Sequence, residues 1–486
     1  MKRMIALALF LAGFSLGAQN VTVIATGDVR GKWFDSTFVD SKVKASILSA
    51  SEYIKEVKSE CGAENVLLID MGGQLDGQDA AFYYSEVKKD GSILPKIASL
   101  MGYNAMIEHE NVTSKVLKDV RKGLRKAHIH YIREGKYKIL KKGGYRIAVL
   151  GSEDSLSLGK VLGKKADIVI MPLGRKMLVS TLSESSVMDP RRNARYVARA
   201  DISSEGIKSS SVNLTPSKID KAMQKALRED FLEVKAFETA ALCTLPLNLV
   251  SREAYKGRCP YMDFYHSLAL EESDVEISLS APLHIDGVLK KGVVSYADIS
   301  TLYPFENTLV VLAMTGDEIR KYLEMSYNDW ICSPGEHVLL MKETKDFKTG
   351  EPQKNFAKSP GNFDSAAGIC YTVDVTKPYG SRVAISSLAD GSAFDLQKIY
   401  NVAITSYRAT GSGGLLGAAG LDTQEKIESR IIRRGPAFRD MLYWYIQHHG
   451  GLNPSDFSKG AIVGNWEFVP DVRDLMEKDL NLIFNK

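Results

Sequence analysis

Four runs of apolar, largely β-branched residues lie in the first third of the chain. They are VTVIAT (21–26), NVLLID (65–70), YRIAVLG (145–151) and ADIVIM (166–171). Each run is apolar on both faces, and long, partly helical stretches separate them. Runs of this kind are typical of strands buried inside a layered α/β domain rather than of half-exposed ribbons. The pattern therefore predicts a layered α/β domain at the start of the chain.

A helix is predicted to follow this domain, in the segment SKIDKAMQKALREDFLEVKAF (217–237). Met223, Leu227, Phe231 and Val234 fall on one of its faces, at spacings of 4, 4 and 3 residues. We interpret the segment as a linker helix that leads into a second α/β unit.

The second unit begins its own pattern with the strand TLVVLAM (308–314). A helix is predicted directly after it, because Thr315 and Glu318 have the spacing of a capping box. Three further strands are predicted, GICYTVDV (368–375), SRVAISSL (381–388) and IYNVAITSY (399–407).

The N-terminus has the pattern of a secretory signal peptide. MKRMIALALFLAGFSLGAQN carries two early cations, a short apolar run and small residues, with cleavage expected after residue 18. No later segment is apolar for long enough to span a bilayer. The sequence thus predicts an exported, periplasmic or extracellular protein without a membrane span.

Composition supports a globular protein of two domains. The chain has 486 residues, of which 44% are hydrophobic and 25% charged, and 63 basic residues stand against 59 acidic ones. The charges look spread rather than clustered, so a nucleic-acid polymer is not expected as a partner. The five cysteines are widely spaced and form no CxxC motif, which excludes zinc-finger chemistry. The sequence does not indicate an oligomeric state.

Four motifs in order resemble the secreted 5′-nucleotidases and 2′,3′-cyclic-nucleotide phosphodiesterases. This resemblance implies a metallophosphoesterase-like sandwich domain at 19–216, the linker helix, and an α/β 5′-nucleotidase C-terminal domain at 238–486. The motifs are VSYADISTLYPFENTLVVLAMTGDEIRKYLEMS (294–326), NFDSAAGICYTVDVTKPYGSRVAISSLADG (362–391), YNVAITSYRATGSGG (400–414) and NWEFVPD (465–471).

In that family the C-terminal domain holds the nucleotide base between two aromatic rings. The resemblance assigns this role to Phe305 in YPFEN and Tyr407 in SYRATGSGG. Arg408 would then face a phosphate or ribose, and a glycine loop would let the backbone approach the ligand. The alternative is that both aromatics are ordinary core residues. The loop glycines are Gly411, Gly413 and Gly414.

The first domain of the family holds two metal ions, and here their ligand set is eroded. Asp28 in TGDVRG matches the first ligand, but Arg30 stands where a histidine is expected and Gly73 where the metal-bridging aspartate belongs. The segment MIEHEN keeps His109 as a candidate catalytic residue and offers Glu108 as a candidate ligand. The family's later histidines are absent, and Arg30 becomes a possible phosphate contact.

Three functions stay open on these residues. The favoured one is a catalytically impaired family member that recognises nucleotides or nucleosides through its C-terminal domain, with no cofactor expected. The alternative is an active phosphoesterase with a rearranged site for two divalent metals, manganese, zinc, cobalt or calcium. A structural or partner-binding secreted protein is the third.

Overall fold

The computed structural model describes residues 20–35, 44–77, 79–110, 112–153, 155–174, 176–181, 183–190, 193–282, 284–303, 307–346 and 349–484. The chain divides into two compact units, Met1–Glu238 and Thr239–Lys486.

Two sheets form the centre of the first unit. In one sheet the order is β11-β10-β1-β2-β3-β4, with parallel pairing from β1 to β4 and antiparallel pairing at β10 and β11. The other sheet has the order β5-β6-β7-β8-β9. The strands are β1 (Val21–Thr26), β2 (Val66–Asp70), β3 (Ala105–Ile107), β4 (His130–Ile132), β5 (Tyr137–Lys142), β6 (Tyr145–Leu150), β7 (Ile168–Leu173), β8 (Lys176–Ser180), β9 (Ser185–Met188), β10 (Tyr196–Ser203) and β11 (Gly206–Asn213).

Helices cover the outer faces of these sheets. The inner faces meet in one apolar cluster, which contains Val23 of β1 and Ile147 of β6. Helices α1, α3 and α4 pack on the other face of the first sheet, and α5 packs on the second. The predicted layered α/β sandwich is confirmed. The helices are α1 (Ile47–Cys61), α2 (Asp79–Phe82), α3 (Ile93–Met101), α4 (Ser114–Lys126), α5 (Ser155–Gly163), α6 (Lys221–Ala226) and α7 (Arg228–Thr239).

The segment expected to be a single linker helix is two helices, α6 and α7. The Asp220 side chain caps α6 by accepting a hydrogen bond from the Met223 amide, and Leu227 is the C-cap that follows the last helical residue. Helix α7 packs on the first unit, where Phe231 makes an edge-to-face contact with Phe34. Its apolar face is therefore part of the first core rather than a free connection.

A five-stranded sheet of order β20-β14-β23-β17-β24 forms the centre of the second unit. Separate apolar clusters lie on its two faces, one with α10 (Gly316–Trp330) and the other with α8 (Pro260–Ser273) and α13 (Phe438–His449). The strands are β12 (Ala241–Leu245), β13 (Leu249–Val250), β14 (Ile277–Ser280), β15 (Val288–Leu289), β16 (Gly292–Ser295), β17 (Thr308–Thr315), β18 (Met341–Lys345), β19 (Pro352–Phe356), β20 (Ser365–Ala367), β21 (Ile369–Asp374), β22 (Val383–Leu388), β23 (Ile399–Thr405), β24 (Ile431–Ala437) and β25 (Trp466–Val469).

The predicted capping box is present at the start of α10, where Thr315 accepts from the Glu318 amide and Glu318 accepts in return. No helix in the described part of the chain is long and apolar enough to cross a membrane. The helices of this unit are α8 (Pro260–Ser273), α9 (Tyr296–Leu302), α10 (Gly316–Trp330), α11 (Leu415–Ala418), α12 (Gln424–Arg430), α13 (Phe438–His449), α14 (Gly460–Val463) and α15 (Arg473–Phe484).

Candidate functional site

The expected metal ligands of the first unit follow the parallel strands β1, β2 and β3, whose carboxyl ends share one edge of the sheet. The loops after β1 and β2 are joined there by backbone hydrogen bonds. The Asp28 amide donates to the Gly72 carbonyl at 2.8 Å, and the Arg30 amide donates to the Gly73 carbonyl at 2.8 Å. The two loops therefore lie directly against each other at this edge.

Gly73 leaves little room for a side chain. Its φ is +74°, and a Cβ added there would lie 3.0 Å from the Asp28 Cα and 3.3 Å from Asp28 Oδ1. L-residues rarely adopt this backbone conformation. The path of this loop therefore disfavours an aspartate at residue 73, where the resemblance places the metal-bridging ligand.

Asp70 is fully buried at the end of β2 and is held by three donors. Thr26 Oγ1 donates to Oδ2 at 2.5 Å, Gln74 Nε2 donates to the same oxygen at 2.8 Å, and the Gly72 amide donates to Oδ1 at 2.9 Å. Burial raises the pKa of Asp70 to about 6, although these hydrogen bonds oppose the rise. This carboxylate braces the loop that follows β2.

The two glutamates after β3 are also engaged by protein groups. The guanidinium of Arg121 forms a two-point contact with Glu108, with Nε 2.8 Å from Oε2. Glu110 accepts from the amides of Gln74 and Leu75 at 2.9 and 2.8 Å. Burial, with repulsion from Asp76, raises the pKa of Glu110 well above its usual range.

Asp28 and Arg30 lie next to each other, with Nη1 3.6 Å from Oδ1. Both have positive φ, +49° and +56°, so the loop is held in a conformation uncommon for residues with a Cβ. His109 is exposed on the loop after β3, and the backbone carbonyl of His109 accepts from the Gly73 amide at 3.1 Å. The structure therefore brings the predicted first-unit residues to one edge of the sheet.

These residues do not fit the two metal ions of the family. Asp28 and Glu108, the two expected ligands, each lie beside a guanidinium, and Gly73 cannot be replaced by a bridging carboxylate without moving the loop. Nowhere in the described ranges do three or more His, Cys, Asp or Glu residues form a group that could hold a metal ion. Carboxylates paired with cations are poor ligands, because metal binding would first have to break the pairs.

The second candidate site is the loop after β23 in the second unit. Tyr407 is 46% exposed, and its ring lies 5.3 Å from the Arg408 guanidinium carbon. The loop glycines have left-handed backbone conformations, with φ of +77°, +82° and +74° at Gly411, Gly413 and Gly414. Phe305, the expected second aromatic, lies outside the described residues.

Arg408 does not face a ligand as expected. It is 2% exposed, and its guanidinium pairs with the buried carboxylate of Asp364, with Nε 3.1 Å from Oδ2. It also donates to the Asn362 side chain and to the carbonyls of Gly361 and Ser412. Each nitrogen of the guanidinium thus donates to an acceptor within the protein. Arg408 therefore anchors the loop that carries Tyr407.

Sequence reasoning missed Asn362 and Asp364 as partners of this loop. Both lie in the motif NFDSAAG, which carries the family resemblance, but nothing in their spacing indicates a contact with residue 408. Gly413 completes the arrangement, because a Cβ there would lie 2.3 Å from Arg408 Nη1 and 2.4 Å from Asn362 Oδ1.

Residues 237–419 match the 5′-nucleotidase C-terminal domain family. A trifunctional nucleotide phosphoesterase of Bacillus subtilis is 27% identical over 197 residues, which is 37% of this chain and 11% of that protein. A 2′,3′-cyclic-nucleotide 2′-phosphodiesterase/3′-nucleotidase of Haemophilus influenzae is 26% identical over 201 residues, 37% of this chain and 26% of that protein. The chain thus matches about a quarter or less of the length of these curated relatives.

Solved structures share the fold of both units. The NAD nucleotidase of Haemophilus influenzae has a TM-score of 0.58 at 12% identity, covering 92% of this chain and 99% of its own. A Staphylococcus aureus protein assigned to the 5′-nucleotidases has a TM-score of 0.54 at 17% identity, covering 93% and 100%. The resemblance to the 5′-nucleotidase family is confirmed, and it rests on the C-terminal domain match of residues 237–419 and on the fold that the chain shares with these structures.

Proposed function

We propose that this protein recognises a nucleotide or nucleoside through its second unit and no longer performs the two-metal hydrolysis of its family. The observation that carries the proposal is that the candidate metal ligands of the first unit are engaged by protein groups, whereas the candidate base-binding ring of the second unit is exposed. The carboxylates of the first unit are engaged by protein groups around Gly73. The second unit instead holds an exposed aromatic ring on a braced glycine loop.

Tyr407 has the chemistry that a base-binding platform needs. A phenol ring stacks on any base, and such stacking contributes roughly 1–3 kcal/mol per base. The Tyr407 ring can contact a ligand without loss of structural contacts, because the neighbouring Arg408 makes the contacts that hold the loop in place. Phe305 remains the candidate for stacking on the opposite side of the base. The loop glycines are candidates for positions at which the backbone approaches the ligand closely.

Arg30 is a candidate phosphate contact of the first unit. It is largely buried and lies beside Asp28, and a guanidinium suits the geometry of a phosphate. We also propose export, which rests on the leader pattern of residues 1–18.

The test combines metal content with ligand titration. Purified protein is incubated with manganese, zinc, cobalt or calcium, freed of excess metal and analysed by mass spectrometry, and adenosine and AMP are then titrated by calorimetry. We expect no tightly held metal, and we expect Tyr407→Ala to weaken adenosine binding by roughly tenfold or more.

The matched control is Tyr379→Ala, because Tyr379 is 51% exposed in a turn that has no proposed ligand. Equal affinity of the Tyr407→Ala variant and the wild type would remove the base-binding proposal. Two equivalents of bound metal, with turnover of AMP or a cyclic nucleotide abolished by Asp28→Ala, would establish the active phosphoesterase instead. Absence of binding by the wild type would leave the partner-binding alternative.

A further inference from the structure

One segment of the first unit carries a marked excess of basic over acidic residues. Residues 115–146 contain twelve Lys or Arg and two Asp or Glu, whereas the whole chain has 63 basic and 59 acidic residues. The expectation of evenly spread charge was therefore wrong for this segment. A concentration of this size produces a local positive potential that the small net charge of the chain conceals.

Helix α4 places its part of this charge on one face. Val116, Val120 and Leu124 are buried at spacings of four residues. Since neighbouring positions differ by about 100° around a helix, the opposite face carries an outward row of cations over roughly 15 Å. We call these residues the basic row, and they are Lys115, Lys118, Lys122 and Arg125.

The basic row is not neutralised by the protein. Asp119 is the one acidic residue of the helix, and Arg121 rather than a row member takes Glu108 as its partner. Within the part of the chain that the structure describes, no ion pair involves a member of the row. Exposed cations held this way on a rigid helix favour contact with an external anion.

The positive surface continues from α4 to the neighbouring strands. Helix α4 packs against β4, which contacts β5. Burial, and then the Lys138 ammonium on β5, lower the pKa of His130 on β4. Lys138 and Lys141 of β5 are exposed, as is Arg133 between the strands.

We propose that this basic surface docks the protein on a membrane surface rich in anionic lipid headgroups. The surface presents an exposed row of ammonium and guanidinium groups, whose charge complements that of a layer of phosphates. A single-stranded nucleic acid fits less well, because among the described residues of 112–146 no large aromatic or aliphatic side chain is exposed for bases to stack on. The segment also lacks Asn and Gln, two of the residues that read base edges.

The test is sedimentation with vesicles of equal parts phosphatidylglycerol and phosphatidylcholine. We expect the wild type to bind them at low ionic strength, to be released by salt, and to ignore vesicles of phosphatidylcholine alone. Each cation near an anionic lipid surface strengthens binding about fivefold, so the triple variant Lys118→Gln, Lys122→Gln, Arg125→Gln should bind roughly a hundredfold more weakly. Glutamine preserves helix propensity, and thermal melting checks the fold.

The matched control removes the same charge from the second unit, in the triple variant Lys290→Gln, Lys291→Gln, Lys342→Gln. These lysines are exposed. The control should bind like the wild type. An equal loss in both variants would mean that net charge rather than the basic row matters and would overturn the proposal. So would equal binding to neutral vesicles, no binding by the wild type, or tighter binding to duplex DNA than to the anionic vesicles.

Discussion

At the scale of single residues, Gly73 occupies the position at which the resemblance places the metal-bridging aspartate. The glycine has φ +74°, and the atoms nearest to an added Cβ are the backbone and carboxylate of Asp28. We expect Gly73→Asp to destabilise the protein by about 2 kcal/mol or more, because an aspartate must adopt a left-handed conformation and also push against Asp28. Urea unfolding measures the loss, and metal analysis should find no gain in bound metal.

The control for this substitution is Gly174→Asp in the same unit. Gly174 has φ +59°, but an added Cβ meets no atom within 4 Å. It therefore reports the conformational cost, about 1–2 kcal/mol, together with the repulsion from Glu153, whose carboxylate accepts from the Gly174 amide at 3.0 Å. If Gly73→Asp were no more costly than this control and bound metal, the loop would be adaptable and the site recoverable.

A second residue-scale prediction concerns Asp70, whose pKa burial raises from 3.8 to about 6. The folded state then binds its proton more tightly than the unfolded state does. The contribution of this group to stability is therefore greatest below pH 4 and is lost as the pH rises to about 6, by roughly 3 kcal/mol. Unfolding experiments across this range on the wild type and on Asp70→Asn measure the contribution of this one group.

The difference between the two curves isolates Asp70, because other groups titrate in both proteins. The free energy of unfolding of the wild type, relative to the variant, should fall between pH 4 and 6. A relative stability that rises over this interval would mean that the hydrogen bonds from Thr26, Gln74 and Gly72 outweigh burial.

At the scale of structural elements, the loop after β23 depends on the buried pair of Arg408 and Asp364. Arg408→Ala leaves a buried carboxylate without its cation, so we expect a loss of about 3–5 kcal/mol in the free energy of unfolding. Arg434→Ala is the control, because its pair with Glu428 is half exposed and should contribute no more than about 1 kcal/mol. Denaturant titration distinguishes the two, and equal losses would contradict an anchoring role.

The elements themselves were predictable where burial imposes a pattern. The run VTVIAT coincides with β1, and NVLLID, YRIAVLG and ADIVIM each contain most of a buried strand. The sequence did not reveal that the first two runs belong to one sheet and the last two to another, because local pattern carries no information on pairing. The break between α6 and α7 was also missed, since the apolar face continues across it.

The candidate sites were predictable only as far as residue type determines their role. Arg30 and Gly73 could be recognised as departures because the motifs around them resemble the metal-binding pattern of the family, which has a histidine and an aspartate at these positions. The role of Arg408 could not, because a guanidinium beside a predicted ligand site fits a phosphate as well as a buried carboxylate. Its partner Asp364 lies 44 residues away in the chain, and only the fold brings the two together.

At the scale of the whole molecule, each described apolar cluster is built from residues of one unit. The clusters of the layered sandwich lie within residues 21–234, and those of the second unit lie within 245–483. The candidate metal site and the proposed base platform are thus supported by separate cores. Loss of one site does not require loss of the other, because the side chains that hold each site in place are different.

This separation leads to a prediction about metal dependence. If the second unit alone binds the base, the affinity for adenosine should be unchanged, within about a factor of two, between buffer with EDTA and buffer with manganese. Adenosine is the appropriate probe because it lacks phosphates and does not itself chelate the metal. Calorimetric titration under both conditions measures the two affinities, and Tyr407→Ala should weaken binding equally in each. A metal-dependent gain in adenosine affinity would mean that a metal ion contributes to base recognition after all, and the first unit would have to be reconsidered as part of the binding site.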